Sequence, residues 1–195
     1  MVFVVVLNWN LKDETIACVA SVLAGNYEFQ RVVIVDNGSE DGSVSAFEQH
    51  FGESVALILN RENLGFAGGM NSGIRYALDH SADWVLLLNN DTIVAPDMLE
   101  ALLSAASQPE LGILAPAIFY YDQPDLVWRL GDRCSSWLPM PLKISASEAK
   151  SQVILPVDYV TGCAMLVKRQ VLEIVGLLDE QFFMYYEDAD FCRRG

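Results

Sequence analysis

The stretch that most constrains this chain is Trp84-Val85-Leu86-Leu87-Leu88-Asn89-Asn90-Asp91-Thr92. Five apolar residues run without alternation, the pattern of a strand buried on both faces in a parallel sheet covered by helices. The run then stops at two amides and a carboxylate. Ligands of open α/β sheets gather beyond the carboxyl ends of the strands, which puts Asp91 where a reacting group would sit. The same three residues could simply turn the chain and cap a helix after Pro96, so this stretch alone leaves both readings open.

Similar segments recur. Val2 to Leu7 reads as a buried strand ending at Asn8-Trp9-Asn10, Arg31 to Val35 as another ending at Asp36-Asn37-Gly38-Ser39, and Val55 to Leu59 as a third. Between them the periodicity predicts a helix over 13–24 with Ile16, Val19, Ala20 and Leu23 inward and Gly25 as its stop. A second helix follows, with Ser45 and Glu48 in capping-box spacing. Residues 60–69 read as a loop, and 70–80 as a helix with Ile74, Ala77 and Leu78 inward. Pro96 suits the first turn of a helix running to about Ser107, and Ile113 to Phe119 reads as one strand. Strand–helix alternation with short connections implies right-handed crossovers and an α/β fold, a doubly wound, mainly parallel sheet with helices on both faces.

From 120 to 156 the pattern dissolves into prolines with Trp128 and Trp137, which suggests long connections and short antiparallel strands. No linker or repeat divides the chain, so 1–195 reads as a single domain. It stops inside a predicted helix. The expectation is a domain cut at its C-terminus, with that helix unsupported at Gly195 and free to fray.

Composition narrows the classes. At 52% hydrophobic over 195 residues the chain is not disordered and can bury a sizeable core. No apolar run approaches the ~20 residues of a membrane span, and Met1 leads straight into a strand with no signal peptide, so a cytoplasmic protein is expected. A formal net charge of -14 disfavours nucleic acid as a partner. It also hints that a phosphorylated ligand would come with a divalent cation. Cys18, Cys134, Cys163 and Cys192 form no CxxC pair and read as reduced thiols, and His50 and His80 read as surface residues.

Three acidic sites fall at strand or loop ends. Asp36 could accept a hydrogen bond from the N–H of a uracil or thymine ring, or form an Asx-turn with Gly38, the simpler local reading. Asp91 offers the hard oxygen that Mg²⁺ or Mn²⁺ prefers in sites shared with substrate phosphates. Glu187-Asp188 follows five aromatic or apolar residues, which suits a general base beside a partly dry pocket or, more plainly, acidic residues at a helix N-terminus. The glycine-rich Asn63-Leu64-Gly65-Phe66-Ala67-Gly68-Gly69-Met70-Asn71 opens a helix, so its amides could approach a diphosphate. It has neither GxGxxG spacing nor a Walker lysine.

Six segments in order change the balance: Asn8-Trp9-Asn10; Val35 to Ser39; Asn63 to Asn71; Leu88 to Asp91; Thr161-Gly162-Cys163-Ala164; and Phe183 to Arg194. Together they resemble the glycosyltransferase family 2 enzymes of GT-A fold, in the rhamnosyltransferase-like and galactofuranosyltransferase-like branch. The resemblance covers nearly the whole chain. It implies an inverting enzyme that moves a sugar, rhamnose by family likeness, from a UDP or dTDP donor to a hydroxyl of a saccharide or lipid-linked acceptor. The nucleotide-sugar would be held by Asn8, Asp36, Asn37, Asn63, Gly65, Gly68, Asn71, Asn89 and Asn90, with Asp36 on the pyrimidine.

In the same likeness, Asn89-Asn90-Asp91 occupies the DXD position, with Asp91 coordinating Mg²⁺ or Mn²⁺ and an amide at the first acidic place. Asp188 would deprotonate the acceptor, with Thr161, Gly162 and Glu187 on the acceptor side. A histidine beyond the Glu-Asp segment usually completes the metal site; the chain ends before it, so little activity is expected of these 195 residues alone. A lipid-linked acceptor would bring the full protein to the inner face of the membrane. Two rivals stay open: a non-catalytic nucleotide-sugar-binding module, and a nucleotidyltransferase, which needs a basic residue near its first strand where only Lys12 is offered.

Overall fold

The computed structural model describes residues 1–134, 141–143 and 154–195. Its centre is a six-stranded sheet built from β1 (Val2–Asn8), β2 (Gln30–Asp36), β3 (Val55–Leu59), β4 (Trp84–Asn89), β5 (Ile113–Leu114) and β10 (Ala164–Lys168). The spatial order is β3-β2-β1-β4-β10-β5. The first four strands run parallel, and β10 lies antiparallel to both β4 and β5.

The unalternating apolar strands have the reason inferred for them: each face is covered. Val4, Val6, Ile34, Leu86 and Leu88 pack with Cys18, Val19 and Val22 of α1 (Lys12–Leu23), Phe47 of α2 (Ser43–Phe51) and Leu99 and Leu102 of α4 (Met98–Ala105). Val5, Val33, Val35, Leu87 and Met165 pack on the other face with Met70, Ile74 and Ala77 of α3 (Gly65–Asp79). Leu172 of α5 (Arg169–Val175) and Phe191 of α6 (Glu187–Arg194) complete that layer.

Several local expectations are corrected. The buried face of α1 is Thr15, Cys18, Val19 and Val22, while Ala20 and Leu23 face outward. A polar anchor turns the helix, since the Thr15 hydroxyl lies 2.8 Å from Asn8 Oδ1 and 2.8 Å from the Leu11 carbonyl. The Ser45–Glu48 capping box does not form. α2 opens two residues earlier behind Gly42 at φ +82°, and the Asp41 carboxylate accepts the Ser43 N–H at 3.0 Å. Pro96 precedes α4 rather than lying in its first turn.

The glycine-rich stretch is helix from Gly65 onward, although glycine is a poor helix former. Packing overrides propensity here. A Cβ on Gly69 would fall 2.4 Å from Leu7 Cδ1, and one on Gly73 2.3 Å from Val5 Cγ1, so these glycines let α3 lie directly on β1. The strand expected over 113–119 breaks at Pro116 into β5 and β6 (Ile118–Tyr120). β6 pairs antiparallel with β7 (Gln123–Arg129), and β8 (Asp132–Cys134) with β9 (Pro141–Lys143), as anticipated for this region. Trp137 lies outside the described residues.

The last helix is not frayed. Phe191 is fully buried, and the Arg194 guanidinium donates to the carbonyls of Val175 at 2.8 Å and Leu177 at 3.0 Å. His50 and His80 are exposed, as expected, each with its ring nitrogen against the carbonyl four residues earlier. Among the described residues no helix is long and apolar enough to cross a membrane.

Candidate active site

Parallel strands in register end at one edge. Asn8 is opposite Asp36, and Leu7 opposite Asn89. β10 runs the other way, so its beginning lies at the same edge, and Cys163 accepts the Asn89 N–H on its carbonyl at 2.9 Å. Thr161-Gly162-Cys163 is thereby placed beside Asn89-Asn90-Asp91. The N-termini of α3 and α6 meet there too: the Phe66 N–H donates to the Phe183 carbonyl at 2.7 Å, and the Gly162 N–H to Asp188 Oδ2 at 2.8 Å. Segments more than 150 residues apart thus share one rim.

Asp36 is 2% exposed, and both its oxygens are engaged. Oδ1 accepts from Asn8 Nδ2 at 2.8 Å, and Oδ2 from the Ser39 N–H at 2.9 Å. The Asx-turn expected with Gly38 is replaced by a local bond one residue further on, from the Ser39 N–H. Asn8 spends its second N–H on Ser39 Oγ at 3.0 Å and its oxygen on Thr15. Asn37 gives its amide to Asn63 Oδ1 and the Gly65 carbonyl, and its oxygen accepts from Asn60 and Leu64. Asn71 clamps Leu178 through both backbone groups and reaches Glu180 Oε1 at 2.9 Å.

The side-chain N–H groups of Asn8, Asn37 and Asn71 are therefore all committed to loop architecture, as is the Asn37 oxygen with two donors. The α3 amides offered to a diphosphate are similarly committed, Gly65 N–H to Asn63 Oδ1 and Phe66 N–H to Phe183. Gly65 sits at φ +74° with the Phe183 carbonyl 2.4 Å from where a Cβ would be, and Gly68 is buried against Leu64.

Asn89 and Asp91 differ. Neither side chain makes a hydrogen bond or ion pair among the described residues, and Asp91 is exposed. Asn90 donates to Thr15 Oγ1 at 2.9 Å. Among the described residues no group of three or more His, Cys, Asp or Glu could hold a metal ion. One free carboxylate fits Mg²⁺ or Mn²⁺ completed by substrate phosphates and water, not a cage made by protein alone. Burial pushes the nearby Cys163 thiol up to about 11, with the Asp91 charge as the next cause. Cys18 is likewise pushed to about 11, mainly by burial, so neither is a ready nucleophile.

Asp188 is half-buried and held from three directions. Oδ2 accepts from the Tyr159 hydroxyl and the Gly162 N–H, each at 2.8 Å, and Oδ1 from the Ala189 N–H at 2.8 Å. Burial, then the Asp188 charge, raises the Tyr159 phenol far above its ordinary value, so it acts as a donor. Glu187 is 5% exposed, and its Oε2 has no hydrogen-bond partner among the described residues. Burial first, and the Asp188 charge as well, push its carboxyl upward against the pull of the Glu187 and Tyr185 backbone amides. Tyr185 and Tyr186 both carry positive φ, 71° and 72°, a costly backbone for aromatic residues.

Sequence reasoning missed Tyr159 and the anchors Thr15 and Ser39. A phenol between Asp158 and Val160, two residues before Thr161-Gly162, was the available signal for Tyr159.

The mannosyltransferase PcManGT from Pyrobaculum calidifontis, solved in complex with GDP-Man and Mn²⁺, matches this structure with a TM-score of 0.70 at 19% identity. The match covers 97% of this chain and 50% of that one. The fold is accordingly the GT-A fold of glycosyltransferases. The model of Glycosyl transferase family 2 matches residues 2–176, and the chain belongs to that family.

Among curated relatives, the low-salt glycan biosynthesis hexosyltransferase Agl10 of Haloferax volcanii is 29% identical over 98% of this chain and 60% of its own length. The N-acetylglucosaminyl-diphospho-decaprenol L-rhamnosyltransferase of Mycobacterium tuberculosis is 31% identical over 82% of this chain and 58% of its own. With galactofuranosyltransferases also among the relatives, the branch is the one resembled in sequence. The chain spans about 60% of the length of these relatives.

Proposed function

We propose that this chain carries the donor site and general base of an inverting glycosyltransferase. It would move a sugar, rhamnose first, from a UDP or dTDP donor to a hydroxyl of a saccharide or lipid-linked acceptor. One observation carries the reading. Gly162-Cys163 joins Asp188 at one end to Asn89, two residues before Asp91, at the other, so a base and a metal-binding carboxylate flank one short segment. The mycobacterial N-acetylglucosaminyl-diphospho-decaprenol L-rhamnosyltransferase supports a rhamnosyl group and a lipid-linked acceptor, and a dTDP-rhamnosyl transferase of Shigella flexneri, 26% identical over 73% of this chain, supports the dTDP donor. The same acceptor class supports action in the cytoplasm at the inner face of the membrane.

Asp91, with Asn89 and Asn90 beside it, would hold Mg²⁺ or Mn²⁺ against the donor diphosphate. Bound there, the cation would offset charge on the departing nucleoside diphosphate. Asp188 takes the acceptor hydroxyl proton as the oxygen bonds to the anomeric carbon and the bond to the diphosphate breaks, a single displacement with inversion. Glu187, Thr161 and Gly162 line the acceptor side. Asp36 reads the pyrimidine through a lone pair left after its two internal bonds.

The test is a panel of UDP-, dTDP- and GDP-sugars with Mn²⁺ and an N-acetylglucosaminyl diphospholipid, scored by nucleoside diphosphate release. Asp188→Asn should lower turnover on the order of 10²–10⁴-fold and leave donor affinity by calorimetry intact. Binding without turnover in a protein of the relatives' full length would favour a binding module. Pyrophosphate release from a nucleoside triphosphate would favour a nucleotidyltransferase.

A further inference from the structure

We infer that Tyr159 is a positioning residue that orients Asp188 and directs the transferred proton to Oδ1, an inference that rests on Asp188 being the base. An ionised carboxylate offers about four acceptor sites, two on each oxygen. Here Oδ2 has both filled, by the Tyr159 hydroxyl and the Gly162 N–H. Oδ1 has one filled, by the N–H of Ala189. The remaining site is on Oδ1. A carboxylate in the first turn of a helix would otherwise sample several rotamers and offer either oxygen. Two donors converging on one oxygen remove that freedom before substrate arrives, which is how a base is pre-organised.

Tyr159 is itself fixed from behind. Its backbone exchanges hydrogen bonds with Asp132, the Asp132 N–H to the Tyr159 carbonyl at 2.9 Å and the Tyr159 N–H to the Asp132 carbonyl at 3.1 Å. The Asp132 carboxylate, 1% exposed, pairs with Arg129 at 3.1 Å. Gly131, at φ +97°, has no room for a side chain, because a Cβ would lie 2.9 Å from Val157 Cγ1. Within the region read as long connections and short antiparallel strands, residues 129–132 thus fix one phenol in place. An isolated bridge between Asp132 and Tyr159 ties β8, outside the main sheet, to the segment that leads into the site.

The experiment is a double-mutant cycle of Tyr159→Phe and Asp188→Asn, using the panel sugar turned over fastest, together with amide hydrogen exchange at Gly162 in the ligand-free chain. Phenylalanine keeps the ring and removes only the hydroxyl. The expected result is a fall in kcat of about tenfold with donor KM and melting temperature unchanged, no further loss when Tyr159→Phe is added to Asp188→Asn, and about tenfold less protection of Gly162. Wild-type turnover and unchanged Gly162 protection in Tyr159→Phe would overturn the inference. So would an equal loss in both backgrounds, since Tyr159 would then act without Asp188. Full turnover in Asp188→Asn would instead remove the base assignment on which the inference rests.

Discussion

Asn8 and Asp36 are register partners at the carboxyl ends of adjacent parallel strands, joined side chain to side chain at 2.8 Å. Both are buried, and with Thr15 and Ser39 they make a polar node where the sheet meets its loops. A buried carboxylate in low dielectric survives because each oxygen has a donor. The node holds the Asp36 carboxylate in one orientation, whatever it then reads.

Asp36→Ala should show two separable effects. Ligand-free stability by urea unfolding should fall by roughly 1–3 kcal/mol, because Asn8 and Ser39 lose their acceptor. Uridine and thymidine nucleotides should weaken by roughly 1.5–3 kcal/mol more than purine ones if a ring N–H is bound. Equal weakening across all bases would leave Asp36 with the structural effect alone.

Gly73→Ala sets two effects against each other. Alanine favours a helix interior over glycine by about 1 kcal/mol. The new Cβ would meet Val5 Cγ1 at 2.3 Å and Val35 Cγ2 at 2.9 Å, and both valines are stiff, fully buried strand residues. Overpacking of this kind costs about 1–3 kcal/mol, so a net loss of stability is expected. A raised melting temperature would show that α3 can lift off β1 at little cost.

Glu187 gives a pH dependence of the less common sign. Its carboxyl is raised in the folded chain, chiefly by burial, so folding takes up a proton between the unfolded and folded values. Stability from this group is full below the unfolded value and declines as pH rises through the folded one. Glu187→Gln should therefore gain on wild type as pH increases from the ordinary glutamate range toward neutrality, measured as the difference in urea midpoints. A constant difference across that range would contradict it.

The sheet was legible because a strand covered on both faces has to be apolar throughout, and the polar residues that end β1, β2 and β4 then mark one edge. Gly65, Gly68 and Gly69 were less legible: locally they argue for a loop, whereas in the fold Gly65 opens the helix against Phe183 and Gly69 lies against Leu7 of β1. Asn37 and Asn71 were named through the family resemblance, and no local pattern says where an amide points; here their N–H groups reach Asn63, Gly65, Leu178 and Glu180. Tyr159 meets Asp188 across 29 residues, a pairing that depends on β10 running antiparallel, which no local pattern encodes.

The central claim is that the polar rim at the ends of these strands binds a nucleoside diphosphate with a divalent cation on Asp91. Calorimetry of UDP and dTDP with and without Mn²⁺, in wild type and Asp91→Ala, tests it most directly. Mn²⁺ should tighten binding to wild type by about tenfold or more, a gain of ~1.4 kcal/mol, and leave Asp91→Ala unaffected. Equal affinity with and without Mn²⁺ in wild type would contradict it.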